Sequence, residues 1–114
     1  MSEAPLFDII VLAEAQEFLE SITPEARKKV YYNMGKSMYY INKDIFKKLE
    51  NTDIWEFRTL YNKTAYRLFA FWDNDSKKLV VATHGIVKKT QKTPRKEIKK
   101  AEGIREQYFK EKNK

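Results

Sequence analysis

Two arginines stand in stretches whose other residues suggest buried strands. Arg58 lies in IWEFRTLY and Arg67 in YRLFAFW. The first alternates with the period of a strand, and the second is an apolar strand but for Arg67. Trp55, Phe57 and Thr59 therefore face one way, and Glu56, Arg58 and Leu60 the other. Leu68 and Ala70 fall on the face opposite Arg67. A guanidinium inside a strand is costly to desolvate, so a partner is implied. One candidate is a cross-strand carboxylate such as Glu56, which would hold register. The other is a phosphate. For Arg67 alone the two readings stand level. Arg58 and Arg67 taken together with Lys88, Lys89 and Lys92 favour a phosphate-binding surface.

One reaction open to such a surface is RNA cleavage by a 2′-hydroxyl attacking its own phosphate. That reaction needs a base, positive charge for the phosphorane and an acid for the leaving oxygen, and no metal or cofactor is obligatory. Arginine supplies charge but stays protonated, so it is not the base. A lysine serves if neighbouring arginines depress its pKa. His84 is the one histidine and the one side chain that titrates near neutrality unaided. A lone strand histidine is, however, more often packed or hydrogen-bonded, and that reading stands somewhat ahead. Glu56, Asp73 and Asp75 read more simply as strand-pairing and turn residues. The candidate catalytic set is Arg58, Arg67, Lys88, Lys89 and His84, with Lys63, Lys92, Arg95 and Lys96 as RNA-backbone contacts.

The elements that must position these groups follow from periodicity and punctuation. Leu6 to Leu12 reads as a strand, and Glu14 to Ile22 as a helix with Ala15, Phe18, Leu19 and Ile22 on one face. Thr23 and Pro24 form a cap and first-turn proline for a second helix, to about Ile41, with Val30, Met34, Met38 and Ile41 as its stripe. Asp44 to Leu49 adds a turn or two. Ile54 to Tyr61, Tyr66 to Trp72 and Leu79 to Val87 form a three-strand meander, with turns at Asn62-Lys63-Thr64 and Asp73-Asn74-Asp75-Ser76. Lys88 to Lys92 is a polar basic loop. Thr93-Pro94 opens a last helix to about Lys110, with Ile98, Ala101, Ile104 and Tyr108 apolar. The order predicts an α+β fold: helices over one face of a small twisted antiparallel sheet, the other face open.

Composition bounds the alternatives. A chain of 114 residues with 42% hydrophobic and 14% aromatic content can build one core, at residues 1–109, with 110–114 as a basic tail expected to fray. The absence of cysteine excludes disulfide scaffolds, thiolate metal sites and cysteine nucleophiles, and suits the cytoplasm. The apolar runs are far shorter than the roughly 20 residues a bilayer needs, and no secretory signal is expected. The net charge is +7, all of it from His84 onward; the preceding residues carry twelve charges of each sign. A local cationic field points to a polyanion, nucleic acid before membrane.

The motifs IWEFR (Ile54 to Arg58), YRLFAF (Tyr66 to Phe71) and HGIVKKTQKTPRKEIKKA (His84 to Ala101) resemble the RelE/HigB toxins of bacterial type II toxin–antitoxin systems, and most closely their phage-derived branch. FDIIVLAEAQEFLESI resembles that family's first strand and helix more loosely. The resemblance implies a RelE-like fold and a metal-independent endoribonuclease acting on mRNA at the ribosome. It also implies a cognate helix-turn-helix antitoxin, through whose complex alone operator DNA is bound. Arg58 and Arg67 match basic residues of the family's hairpin strands, and Lys88 and Lys89 match its basic strand end approximately. The histidine-rich set of some HigB toxins is absent, and the last helix replaces the catalytic tyrosine tail of RelE, with Tyr108 as a remote counterpart. The alternatives are a non-catalytic, ParE-like inhibitor of a protein target such as gyrase, or an inactive RNA-binding relative.

Overall fold

Local chemistry sets most of the element boundaries in the computed structural model, which describes residues 4–75, 78–89 and 92–114. Ser76 of the expected β-turn and Thr90-Gln91 of the basic loop lie outside the described residues. The chain runs β1 (Asp8–Val11), α1 (Ala13–Ser21), α2 (Pro24–Ser37), β2 (Phe46–Lys48), β3 (Trp55–Tyr61), β4 (Thr64–Trp72), β5 (Leu79–Lys88) and α3 (Arg95–Lys112). Thr23 caps α2 as expected, its hydroxyl accepting from the Ala26 N–H at 3.2 Å with Pro24 in the first turn. The helix stops at Ser37, short of Ile41. The N–H groups of Tyr39 and Tyr40 both turn back to the Lys36 carbonyl, at 3.1 and 3.0 Å, and Ile41 is left 91% exposed.

The segment after α2 also differs from expectation. In place of a helical turn within Asp44–Leu49, Phe46–Lys48 forms an edge strand antiparallel to β3, with Phe46 opposite Phe57 and Lys47 opposite Glu56. Phe46 stacks on Phe57 at 4.4 Å and on Trp55 at 4.8 Å between ring centroids. This aromatic packing outweighs the weak helical pattern.

The fold is α+β. Its sheet has five strands in the order β1-β5-β4-β3-β2. It is mixed, because β1 lies parallel to β5 while the other pairs are antiparallel. One face, carrying Phe57, Leu68, Ala70, Val80 and Ala82, is buried with Leu19 of α1 and Val30 and Met34 of α2. The opposite face, expected to be open, is partly covered: Phe69, Phe71 and Val81 pack with Ala101 of α3. No helix among the described residues is long and apolar enough to cross a membrane.

A β-bulge decides which β5 side chains reach each face. Phe69 pairs with His84 but Ala70 pairs with Ala82, so Thr83 is the extra residue. Its hydroxyl donates to the Phe69 carbonyl at 3.3 Å. Beyond the bulge, Gly85 turns toward α1, where the Phe18 ring occupies the place a Cβ would take. Gly85→Ala should therefore destabilise the protein by about 1–3 kcal/mol through overpacking. Equilibrium denaturation checks this, and an unchanged midpoint would show that the α1–β5 contact is loose.

Candidate nucleic-acid interface

Strand register brings the two arginines together. Arg58 and Arg67 are direct cross-strand partners in the β3–β4 pair. Like charges placed opposite each other are destabilising, and a carboxylate on the same face offsets them. The Glu56 Oε1 lies 3.5 Å from the Arg58 Nε and 3.4 Å from the Arg67 Nε, with the Glu56 side chain only 3% exposed. Its Oε2 accepts from the Thr93 hydroxyl at 3.2 Å, so the same carboxylate ties the sheet to the segment leading into α3. Opposite charges about 4 Å apart are worth roughly 4 kcal/mol at the effective dielectric of a protein surface. One carboxylate facing two guanidiniums leaves an excess of positive charge.

The ion pairing does not satisfy the donors. Both Nε–H groups are buried and lack a hydrogen-bond partner among the described residues. Arg67 keeps one bond, from Nη1 to the Tyr66 carbonyl at 3.2 Å. A buried unsatisfied donor costs about 1–3 kcal/mol. Burial pulls Arg67 below its ordinary value, with Arg58 adding to the effect and Glu56 opposing it; the guanidinium remains a cation.

Beside this cluster opens a cleft of about 700 Å³ whose cations are Lys47, Arg58, Lys88, Lys92 and Arg95. Lys47 comes from β2 and sits opposite Glu56. Lys88 ends β5, two residues beyond the Ile86 that faces Arg67. Its pKa is lowered, first by burial and then by Arg67, Arg58 and Lys47, against the pull of Glu56. Arg95 belongs to the first turn of α3, whose N-cap residue, Pro94, makes no side-chain capping bond, so the helix dipole adds to the positive field there.

Of the residues singled out in the sequence, Arg58, Lys88, Lys92 and Arg95 line the cleft, and Arg67 adjoins it through Glu56. Lys89, which follows β5, Lys63, in the β3–β4 turn with φ 65°, and Lys96 are exposed and do not line it. His84 lies apart, 2% exposed. It stacks on Phe69 at 4.9 Å, and its ring nitrogens lie 2.9 Å from the Thr83 hydroxyl and 3.1 Å from Glu97 of α3. Tyr108 is also elsewhere. Its hydroxyl donates to the buried Asp73 at 2.6 Å, and its pKa is pushed up to about 12 by burial and by that carboxylate. Lys112 joins the same carboxylate at 2.6 Å, and α3 continues to this residue, past the Lys110 where fraying is expected. The Glu56–Arg67 pair, one of the two expected readings of Arg67, is present, whereas nothing in the sequence pattern singles out Lys47 or Glu50.

The structure is thus an α+β fold with a cation-lined cleft on a half-covered sheet face. The profile of the family described as phage derived protein Gp49-like matches residues 17–106, and the chain belongs to that family. The match includes every residue named in the cleft. A search of curated proteins finds no match.

Two outcomes follow from these contacts. Glu56→Gln should cost about 3 kcal/mol, because it leaves two confined guanidiniums without their counter-charge. Inorganic phosphate should then raise the thermal midpoint of the variant more than that of the wild type at equal ionic strength; equal shifts would count against an anion site. His84 should report on acid sensitivity. Burial lowers its pKa in the fold, Lys100 lowers it further and Glu97 opposes. The unfolded chain therefore takes up the proton first, and stability falls as pH drops below about 6.5. Chemical denaturation across that range should show a flatter profile for His84→Gln; an identical slope would remove His84 as the cause.

Proposed function

We propose that this protein is the toxin of a type II toxin–antitoxin pair, a RelE-like endoribonuclease that acts without a metal on ribosome-bound mRNA in the cytoplasm. The observation that carries the reading is the pair of buried, unsatisfied Arg58 and Arg67 Nε–H donors beside a cationic cleft. A phosphodiester gives the two guanidiniums the second counter-charge that the single Glu56 carboxylate does not supply, and the phosphorane, with its greater charge on oxygen, gives more. That difference is what accelerates a reaction. Membership of the Gp49-like family supports the toxin assignment. The partner that would silence such a surface is a cognate helix-turn-helix antitoxin covering the cleft, and operator DNA would be engaged only through that complex.

In this scheme Lys88 is the base. Its lowered pKa raises the fraction of free amine at neutral pH. The amine takes the proton of the 2′-hydroxyl as the 2′-oxygen attacks phosphorus. Arg58 and Arg67 hold the phosphorane oxygens, while Lys92 and Arg95 hold the flanking backbone. The 5′-oxygen leaves with a proton returned by the Lys88 ammonium, giving a 2′,3′-cyclic phosphate and a 5′-hydroxyl end. The base must be neutral, so the rate should rise with pH until it reaches the Lys88 pKa.

Mapping 5′-hydroxyl ends of mRNA after induction tests the assignment. Wild-type protein should create new ends within reading frames. Arg67→Ala should reduce them by about 10²–10³-fold while remaining folded. Lys88→Arg, which keeps the charge and loses the base, should reduce them by at least about 10²-fold. DNA damage without new RNA ends would instead favour an inhibitor of gyrase type. Salt-dependent RNA binding without cleavage would mark an inactive relative.

A further inference from the structure

The cleft holds more than a phosphate requires. Its volume, about 700 Å³, is within the range of small-molecule sites. Between its cations lie three apolar residues, Leu49, Pro94 and Ile98. Leu49 and Ile98 are half-buried and pack on the Phe69 core beneath α3, which makes them a firm surface rather than a loose one. A fourth group is out of keeping with a site for polyanions. Glu50 lines the cleft with an exposed carboxylate that has no hydrogen bond or ion pair among the described residues. Left alone, it repels every phosphate that enters.

The turn that carries Glu50 is rigidly built. The Leu49 N–H donates to the Ile54 carbonyl at 2.9 Å. The Thr52 hydroxyl donates to the Leu49 carbonyl at 2.8 Å and accepts from the Ile54 N–H at 3.0 Å. Asn51 occupies the left-handed region at φ 59°, and Asp53 reaches Arg105 of α3 at 3.8 Å. The backbone of the turn is therefore held in place before any ligand arrives.

We propose that the cleft seats one unstacked nucleobase against Leu49, Pro94 and Ile98, and that Glu50 selects guanine there. A carboxylate only accepts hydrogen bonds. On its Watson–Crick edge guanine offers two adjacent donors, N1–H and N2–H, which two carboxylate oxygens receive together. Adenine and cytosine each offer one donor beside an acceptor, and uracil offers one donor between two carbonyls, so all three meet Glu50 with repulsion. Single-stranded RNA is read in this way, by stacking and by the exposed base edge. The assignment rests on the proposed RNA-binding role of the cleft and supplies its specificity. Lys47, Lys92 and Arg95 hold the chain, and Glu50 decides which nucleotide the arginines meet.

Fluorescence titration of the purified protein with 2′-O-methyl RNA tetramers that differ at one base tests this without cleavage. Guanine should bind about tenfold tighter than uracil, as a bidentate contact provides. Glu50→Gln should narrow that ratio to about twofold or less. Arg67→Ala should weaken all four tetramers alike and keep the ratio. Equal affinities in the wild type, or a ratio unchanged in folded Glu50→Gln, would overturn the guanine seat. Guanine preference in a protein that forms no new mRNA ends would keep the seat and remove the nuclease. Cleavage with no base preference would do the reverse.

Discussion

The structure of the site depends on one carboxylate shared by two arginines. Without Glu56, the cross-strand pairing of Arg58 with Arg67 would set two guanidiniums face to face on a half-covered sheet. With it, both are held within 3.5 Å of one oxygen while the second oxygen secures Thr93 ahead of α3. The pairing stabilises the cations without satisfying their Nε–H donors. The positive charge is thereby fixed in position, the preorganisation that the proposed anion site requires.

The rest of the molecule positions that cluster by deciding where α3 stops covering the sheet. At its start, α3 is fixed by Glu97 on His84 and by Thr93 on Glu56. At its end it is fixed by Tyr108 and Lys112 on the buried Asp73. Between these points Ala101 is small enough for the helix to lie against Phe69 and Phe71. The cleft is what remains of that face, bounded by β2 on one side and the first turn of α3 on the other. His84 and Tyr108, the side chains best suited to proton transfer by type, are used to hold the helix down. In the proposed reaction the chemistry falls to groups whose properties depend on their neighbours, Lys88 above all.

Much of this was legible in the order of residues, and the failures have physical causes. IWEFRTLY alternates, which sets Glu56 and Arg58 on one face, and strand period in the otherwise apolar YRLFAFW sets Arg67 opposite Leu68 and Ala70, as the register bears out. Thr23-Pro24 announced α2 through a cap that needs no tertiary contact. Asp44–Leu49 was misread because three strand residues leave too short a pattern to tell from a helical turn; only the Phe46–Phe57 stack decides it, and with it the place of Lys47. The bulge at Thr83 leaves no mark in the sequence. It shifts the alternation of β5, so Lys88 lines the cleft and Lys89 does not. The position of α3 on the second face was illegible for a related reason: an amphipathic helix records that one side is buried, not which sheet face buries it.

If the paired guanidiniums of Arg58 and Arg67 are the anion-binding site, nuclear magnetic resonance of their Nε–H groups shows it most directly. On titration with a non-cleavable 2′-O-methyl RNA, the Nε–H resonances of both Arg58 and Arg67 should move together, saturate, and become slower to exchange with solvent. Saturable RNA binding that leaves both resonances in place would contradict the account.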